Sequence, residues 1–155
     1  MTPRRRLLFV VLVAAQALLP LTLIAWNEQA LASGTHVTLK TAPVDPVDPF
    51  RGRYVTLNYE ISALPTGFGP SAVVYVPLSD GGQSWIGGTP TSVQPDEGEF
   101  IRGRVGESGR IEFGIERYFT DEDEARRLEA AGPLLVDVVI DEHGAARIAG
   151  VRPVR

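Results

Sequence analysis

The sequence predicts a mainly β protein: an N-terminal transmembrane helix, then a small antiparallel β barrel or sandwich carrying one short helix. Three observations carry this. Residues 7–26 contain no charged side chain and follow Arg4, Arg5 and Arg6. Beyond residue 32, apolar residues recur mostly at every second position, the period of a half-buried strand. One stretch, residues 121–131, departs from that period behind a run of acids that suits a helix start.

The apolar run comes first. Twenty residues rising ~1.5 Å each reach roughly 30 Å, the thickness of a bilayer core. Twelve of the twenty are Leu, Ile, Val or Phe. On the insertion scale they contribute on the order of −4 to −7 kcal/mol, which outweighs Gln16, Thr22 and a kink at Pro20. Trp26 suits the membrane interface, and the arginines are expected to stay cytoplasmic. The expectation is a single-pass protein of the bacterial inner membrane: residues 1–32 form a signal anchor with the N-terminus inside, and residues 33–155 form an extracytoplasmic (periplasmic) β domain. Ala30-Leu31-Ala32 also has the small-x-small pattern of a cleavage site. Cleavage after Ala32 would release a secreted domain, although signal h-regions usually run only ~7–15 residues.

Composition narrows the function classes. Outside the arginine triplet, 12 basic residues face 19 acidic ones, a net of −7. Phosphate neutralisation needs clustered Lys and Arg, so no nucleic-acid partner is expected. The absence of cysteine excludes thiol nucleophiles, zinc–thiolate sites and disulfides.

The elements follow in order. Val37 and Leu39 alternate within a strand over 36–41. Pro43, Pro46 and Pro49 recur every three residues, the period of polyproline II, so they share one face of a stiff spacer. After a turn at Gly52, a strand is predicted over 54–61. Val55, Leu57, Tyr59 and Ile61 point one way, and Tyr54, Thr56, Asn58 and Glu60 the other. Further strands are predicted over 72–78, 83–86, 99–105 and 110–119, with Glu107-Ser108-Gly109 turning between the last two. Thr120 is the expected N-cap of the helix, which Gly132 and Pro133 stop. A hairpin of strands 134–140 and 145–151 closes the domain across Asp141-Glu142-His143-Gly144.

Few residues suggest chemistry. Asp45 and Asp48 share a face of the spacer, but a calcium or magnesium site needs more oxygen ligands. Arg51-Gly52-Arg53 and Arg102-Gly103-Arg104 repeat one pattern, and together they would suit an anionic ligand. Glu116 and Tyr118 lie beside an apolar alternation of Ile111, Phe113, Ile115 and Phe119. Glu112 and Glu116 are expected to make cross-strand pairs on a wet face. The acids of 121–124 favour a helix dipole without any metal. Only His36 and His143 are available as imidazole bases, one near the expected membrane span and one in a predicted hairpin turn, and Gly-Glu-Ser-Gly at 106–109 lacks the spacing of a nucleophile elbow.

Gly52-Arg53-Tyr54-Val55-Thr56-Leu57-Asn58-Tyr59 resembles the GDYXXLXY family, whose pattern is G-D-Y-x-x-L-x-Y. Gly52, Tyr54, Leu57 and Tyr59 match, and Arg53 replaces the aspartate. Pro-Val-Asp-Pro upstream, the segment 113–119 and the N-terminal apolar run also resemble that family. The resemblance implies a bacterial membrane-associated domain of unknown function, often encoded beside multi-pass membrane proteins, and brings no catalytic residue. The expected ligand- or partner-binding residues are therefore Phe50, Arg51, Gly52, Arg53, Tyr54, Tyr59, Arg102, Arg104 and Glu116. No catalytic residue, metal or cofactor is expected. The leading expectation is a non-enzymatic interaction module for a co-encoded multi-pass membrane protein, tethered through residues 7–26. An envelope-acting hydrolase using Glu116 or Asp45/Asp48 with Arg51 and Tyr54, or an anionic-ligand module, are the alternatives.

Overall fold

The structure is a computed structural model that describes residues 34–42, 54–65 and 67–154, with eight scattered positions between 9 and 22. The chain divides into two compact units, Met1–Ser33 and Gly34–Arg155. In the first, the described positions are helical and expose Phe9, Leu12, Val13, Leu18 and Leu19. Among the described residues no helix is long and apolar enough to cross a membrane. Most of the expected span, the proline spacer with Asp45 and Asp48, and the turn Phe50–Arg53 lie outside the described residues.

The second unit is mainly β with one short helix. Its strands are β1 (Thr35–Lys40), β2 (Tyr54–Thr56), β3 (Val73–Asp80), β4 (Trp85–Gly87), β5 (Phe100–Val105), β6 (Ile111–Glu112), β7 (Arg117–Phe119), β8 (Leu134–Ile140) and β9 (Ala146–Pro153); the helix, α1, is Glu122–Ala130. The strands form sheets β1-β8-β9, β2-β7 and β4-β3-β5-β6, all antiparallel, which curl into a half-barrel rather than a closed barrel or a two-layer sandwich.

β8 is the central strand of its sheet and the most apolar, because both its faces are covered. Leu134, Val136, Val138 and Ile140 point into the core. On the outer face Leu135 lies opposite Lys40 and Arg152, and Val139 opposite His36 and Arg147. Long basic side chains can cover apolar neighbours with their stems while their heads stay in water. Asp137 sits between these two residues, accepting from Thr38 Oγ1 at 2.8 Å and Arg152 Nε at 3.2 Å. The Arg152 hydrogen bond, aided by Thr38, holds its carboxyl below the usual carboxylate range.

Three expectations are corrected. The strand predicted over 54–61 ends at Thr56. Residues 57–59 stay extended, through Leu57 N donating to the Glu116 carbonyl (2.8 Å) and a lone bridge from Tyr59 to Thr41, before a 3₁₀ turn at Glu60–Ala63. The inward alternation survives this, since Val55, Leu57, Tyr59 and Ile61 are all buried. The strand predicted over 110–119 breaks into β6 and β7, which lie in different sheets. Gly114 between them has φ +82°, a backbone that only glycine adopts freely and that ends a strand. The helix N-cap is Asp121, not Thr120: Asp121 Oδ1 accepts from Glu124 N at 3.0 Å. A shorter carboxylate-capped start satisfies an orphan amide and adds charge at the positive helix end. The remaining acids of the run pair within the helix, Glu122 with Arg126 at 3.0 Å and Glu124 with Arg127 at 2.9 Å.

Candidate functional site

β5 reads Phe-Ile-Arg-Gly-Arg-Val, and its alternation sends Ile101, Gly103 and Val105 inward and Arg102 and Arg104 outward. Two residues along one strand separate the arginines by roughly 7 Å at their Cα atoms. Gly103 is required by packing rather than by a turn. A Cβ there would stand 2.4 Å from Ile111 Cγ2 and 2.9 Å from Phe113 Cδ1, so the glycine lets β6 and the Phe113 ring close directly onto the strand.

Two walls rise beside this floor. One is the tight β8–β9 turn, built as its sequence predicts: Asp141 Oδ1 accepts from His143 N and Ala145 N, both at 2.9 Å. Its Gly144 has φ +78°, donates its N–H to the Asp141 carbonyl at 2.9 Å, and presses against β5, where its own carbonyl accepts from Arg102 N at 2.8 Å. Any Cβ at Gly144 would meet the Phe100 ring at 2.7 Å. Ala145 and Ala146 then face the groove.

The second wall is the link from Phe113 to Glu116, and it is pinned from three directions. From the core, Tyr59 donates its hydroxyl to the Ile115 carbonyl at 2.8 Å and packs edge-on against Phe113 at 6.4 Å. From the next segment, Leu57 N binds the Glu116 carbonyl. Across the turn, the Glu116 carboxylate accepts from Phe113 N. Burial first, and the nearby Glu116 carboxylate second, push the Tyr59 hydroxyl far above the ordinary tyrosine range. Tyr59 is thus a neutral, enclosed donor.

Between the walls lies an open groove of about 610 Å³. Arg102, Arg104, Glu112, Glu116 and Val73 line it along with the wall residues. Glu112 lies opposite Arg104 in register. Its carboxylate nevertheless turns onto the Gly106 backbone, close enough that a Cβ there would stand 2.5 Å from Oε1. Among the described residues neither Glu112 nor Glu116 forms the expected wet-face ion pair, because each carboxylate is turned towards local backbone. Among the described residues, Arg102 and Arg104 make no ion pair.

Tyr54 lies elsewhere. On β2 it pairs with Phe119 of β7, ring centroids 5.7 Å apart, while the Arg117 guanidinium sits 5.8 Å from its ring centre. Phe119 is 69% exposed, so it leaves the apolar alternation in which the sequence places it. The structure therefore brings Arg102, Arg104 and Glu116 into one groove, Tyr59 beneath its wall, and Tyr54 into a separate surface cluster. Phe50, Arg51, Gly52 and Arg53 lie outside the described residues. Among the described residues no three His, Asp or Glu side chains gather as metal ligands. The sequence reading missed Arg117 and Phe119 as partners of Tyr54, and missed the groove walls. The only signal for either was β-strand register, which a single sequence does not encode locally.

Fold and site together define a small antiparallel β domain that bears an arginine-floored groove and an exposed aromatic cluster. The GDYXXLXY protein family model matches residues 16–151, and the chain belongs to that family. Neither a curated protein nor a solved structure matches the chain. Of the signature positions described, Leu57 and Tyr59 are core residues that hold the 113–116 wall, whereas Tyr54 faces outward.

Proposed function

We propose that the protein is a membrane-tethered, extracytoplasmic interaction module that docks a membrane-protein partner and performs no chemistry of its own. The observation carrying this reading is the Tyr54–Arg117–Phe119 cluster. An exposed phenylalanine packed at a tilt against a tyrosine beside an arginine has the composition of an interface hot spot. Tethering rests on the uncharged run 7–26 behind three arginines, and on the exposed apolar side chains at its described helical positions. Of the groups named for the hydrolase alternative, Glu116 is engaged by the Phe113 amide and Tyr54 packs against Phe119, away from Glu116.

Photocrosslinking from position 119 in native membranes, followed by purification, tests this. The reading expects one defined membrane protein joined at position 119 and not at Glu129 on α1. Crosslinking only to lipid or to the chain itself would end it.

A further inference from the structure

We propose that the groove floored by β5 is a second binding site, which takes the C-terminal carboxylate of a peptide chain. This goes beyond the docking role of the Tyr54 cluster and does not depend on it. Arg102 and Arg104 project from one face of one strand, and no described carboxylate neutralises either. The nearest acids in sequence register are turned away, Glu112 onto Gly106 and Glu116 onto Phe113 N. Two guanidinium forks at that spacing suit a planar carboxylate, which each can meet with paired N–H donors.

Three further features point to a peptide rather than a free anion. The Arg102 amide points off the β3 side of the sheet to Gly144, and the carbonyl of a strand residue points the same way. No described donor reaches that carbonyl, so it is an acceptor for a peptide N–H. The groove also offers small apolar surface at Val73, Ala145 and Ala146, room for a modest side chain. Finally, two arginines and two glutamates leave the lining without net charge, within a domain that is itself acidic. A phosphate dianion or a nucleic acid gains little in such a field, whereas a single carboxylate followed by amide donors matches both signs. The volume of about 610 Å³ lies within the range of small-ligand sites.

The test uses the full ¹⁵N-labelled chain in detergent micelles and follows the amide signals of Arg102, Gly103 and Gly144. The probes are acetyl-tripeptides ending in Ala, Val, Leu or Phe, the C-terminal amide of each, and inorganic phosphate. At least one free-acid peptide should shift these signals saturably, with its amide about tenfold weaker, the loss of a charge-assisted contact. Arg102→Gln and Arg104→Gln should each weaken binding by a similar factor, and Arg126→Gln, which removes the same charge on α1, should not. Unchanged amide spectra outside the groove would show that the variants fold. The proposal is overturned if no free acid saturates by about 20 mM, if amide or phosphate binds as well as the acid, or if both groove variants bind normally.

Discussion

Replacing Tyr59 by Phe removes one oxygen atom and isolates the role of the signature's last residue. The ring keeps its edge-on contact with Phe113, but the Ile115 carbonyl loses the hydroxyl that donates to it from inside the core. An orphaned buried acceptor costs about 1–3 kcal/mol. For a domain of this size that lowers Tm by about 4–12 °C. The pH dependence gives a sharper signature. Burial, then the Glu116 carboxylate, raise the Tyr59 pKa in the fold above its unfolded value of about 10. The stability this group contributes is therefore complete below pH ~10 and is lost as pH rises, by up to ~1.4 kcal/mol per unit. Urea unfolding of the full chain, followed by near-UV circular dichroism from pH 7 to 11.5, measures both effects. The wild-type advantage over Tyr59→Phe should hold steady to pH ~9 and then shrink. An advantage below ~0.5 kcal/mol at pH 7, or one unchanged through pH 11.5, would refute the buried hydrogen bond as the prop of the 113–116 wall.

Other substitutions probe other parts. Gly103→Ala forces a methyl against Ile111 and Phe113 and should cost about 1–3 kcal/mol in the same unfolding assay, because these core side chains have no room to yield. Leu57→Ala should cost about 2–5 kcal/mol, since Leu57 is enclosed beneath the same wall. Asp137→Asn should weaken the fold at neutral pH and match wild type in acid. Its carboxyl is held below the usual range chiefly by Arg152, so that stability exists above the unfolded carboxylate value and is lost as pH falls through the folded one. The pair is exposed, so ~1 M salt should erase most of the difference. Phe119→Ser should change stability by less than about 0.5 kcal/mol, as for most surface changes.

The fold was legible wherever the deciding interactions are local. Alternation placed Val55, Leu57, Tyr59 and Ile61 in the core and found β8, and the Asp141–Gly144 turn followed from its own side chains. The helix was found too, with its start shifted by one residue because Thr120 and Asp121 are both competent caps. Gly114 was an unread signal: a glycine inside an otherwise alternating run marks a break or a bulge. The site was less legible because it is made by register. Nothing near Arg102 says that Gly144, some forty positions later, accepts its amide, and nothing near Arg104 says that Glu112 lies on Gly106. Phe119 read as core because apolar residues usually are, and only the pairing of β2 with β7 turns it outward beside Tyr54. The family was legible from residues 42–61 and the segment 113–119 together, and the match over residues 16–151 bears it out.

The central claim is that the signature's inner residues build the scaffold while the outward cluster at Tyr54 does the docking. Recovery of the crosslinked partner, compared between Tyr59→Phe and Phe119→Ser in the cold, separates the two roles. Tyr59→Phe, less stable but folded, should recover the partner at close to the wild-type level. Phe119→Ser, as stable as wild type, should lose roughly thirtyfold in affinity, the effect of a hot-spot truncation. Full recovery by Phe119→Ser, or loss confined to folded Tyr59→Phe, would contradict it.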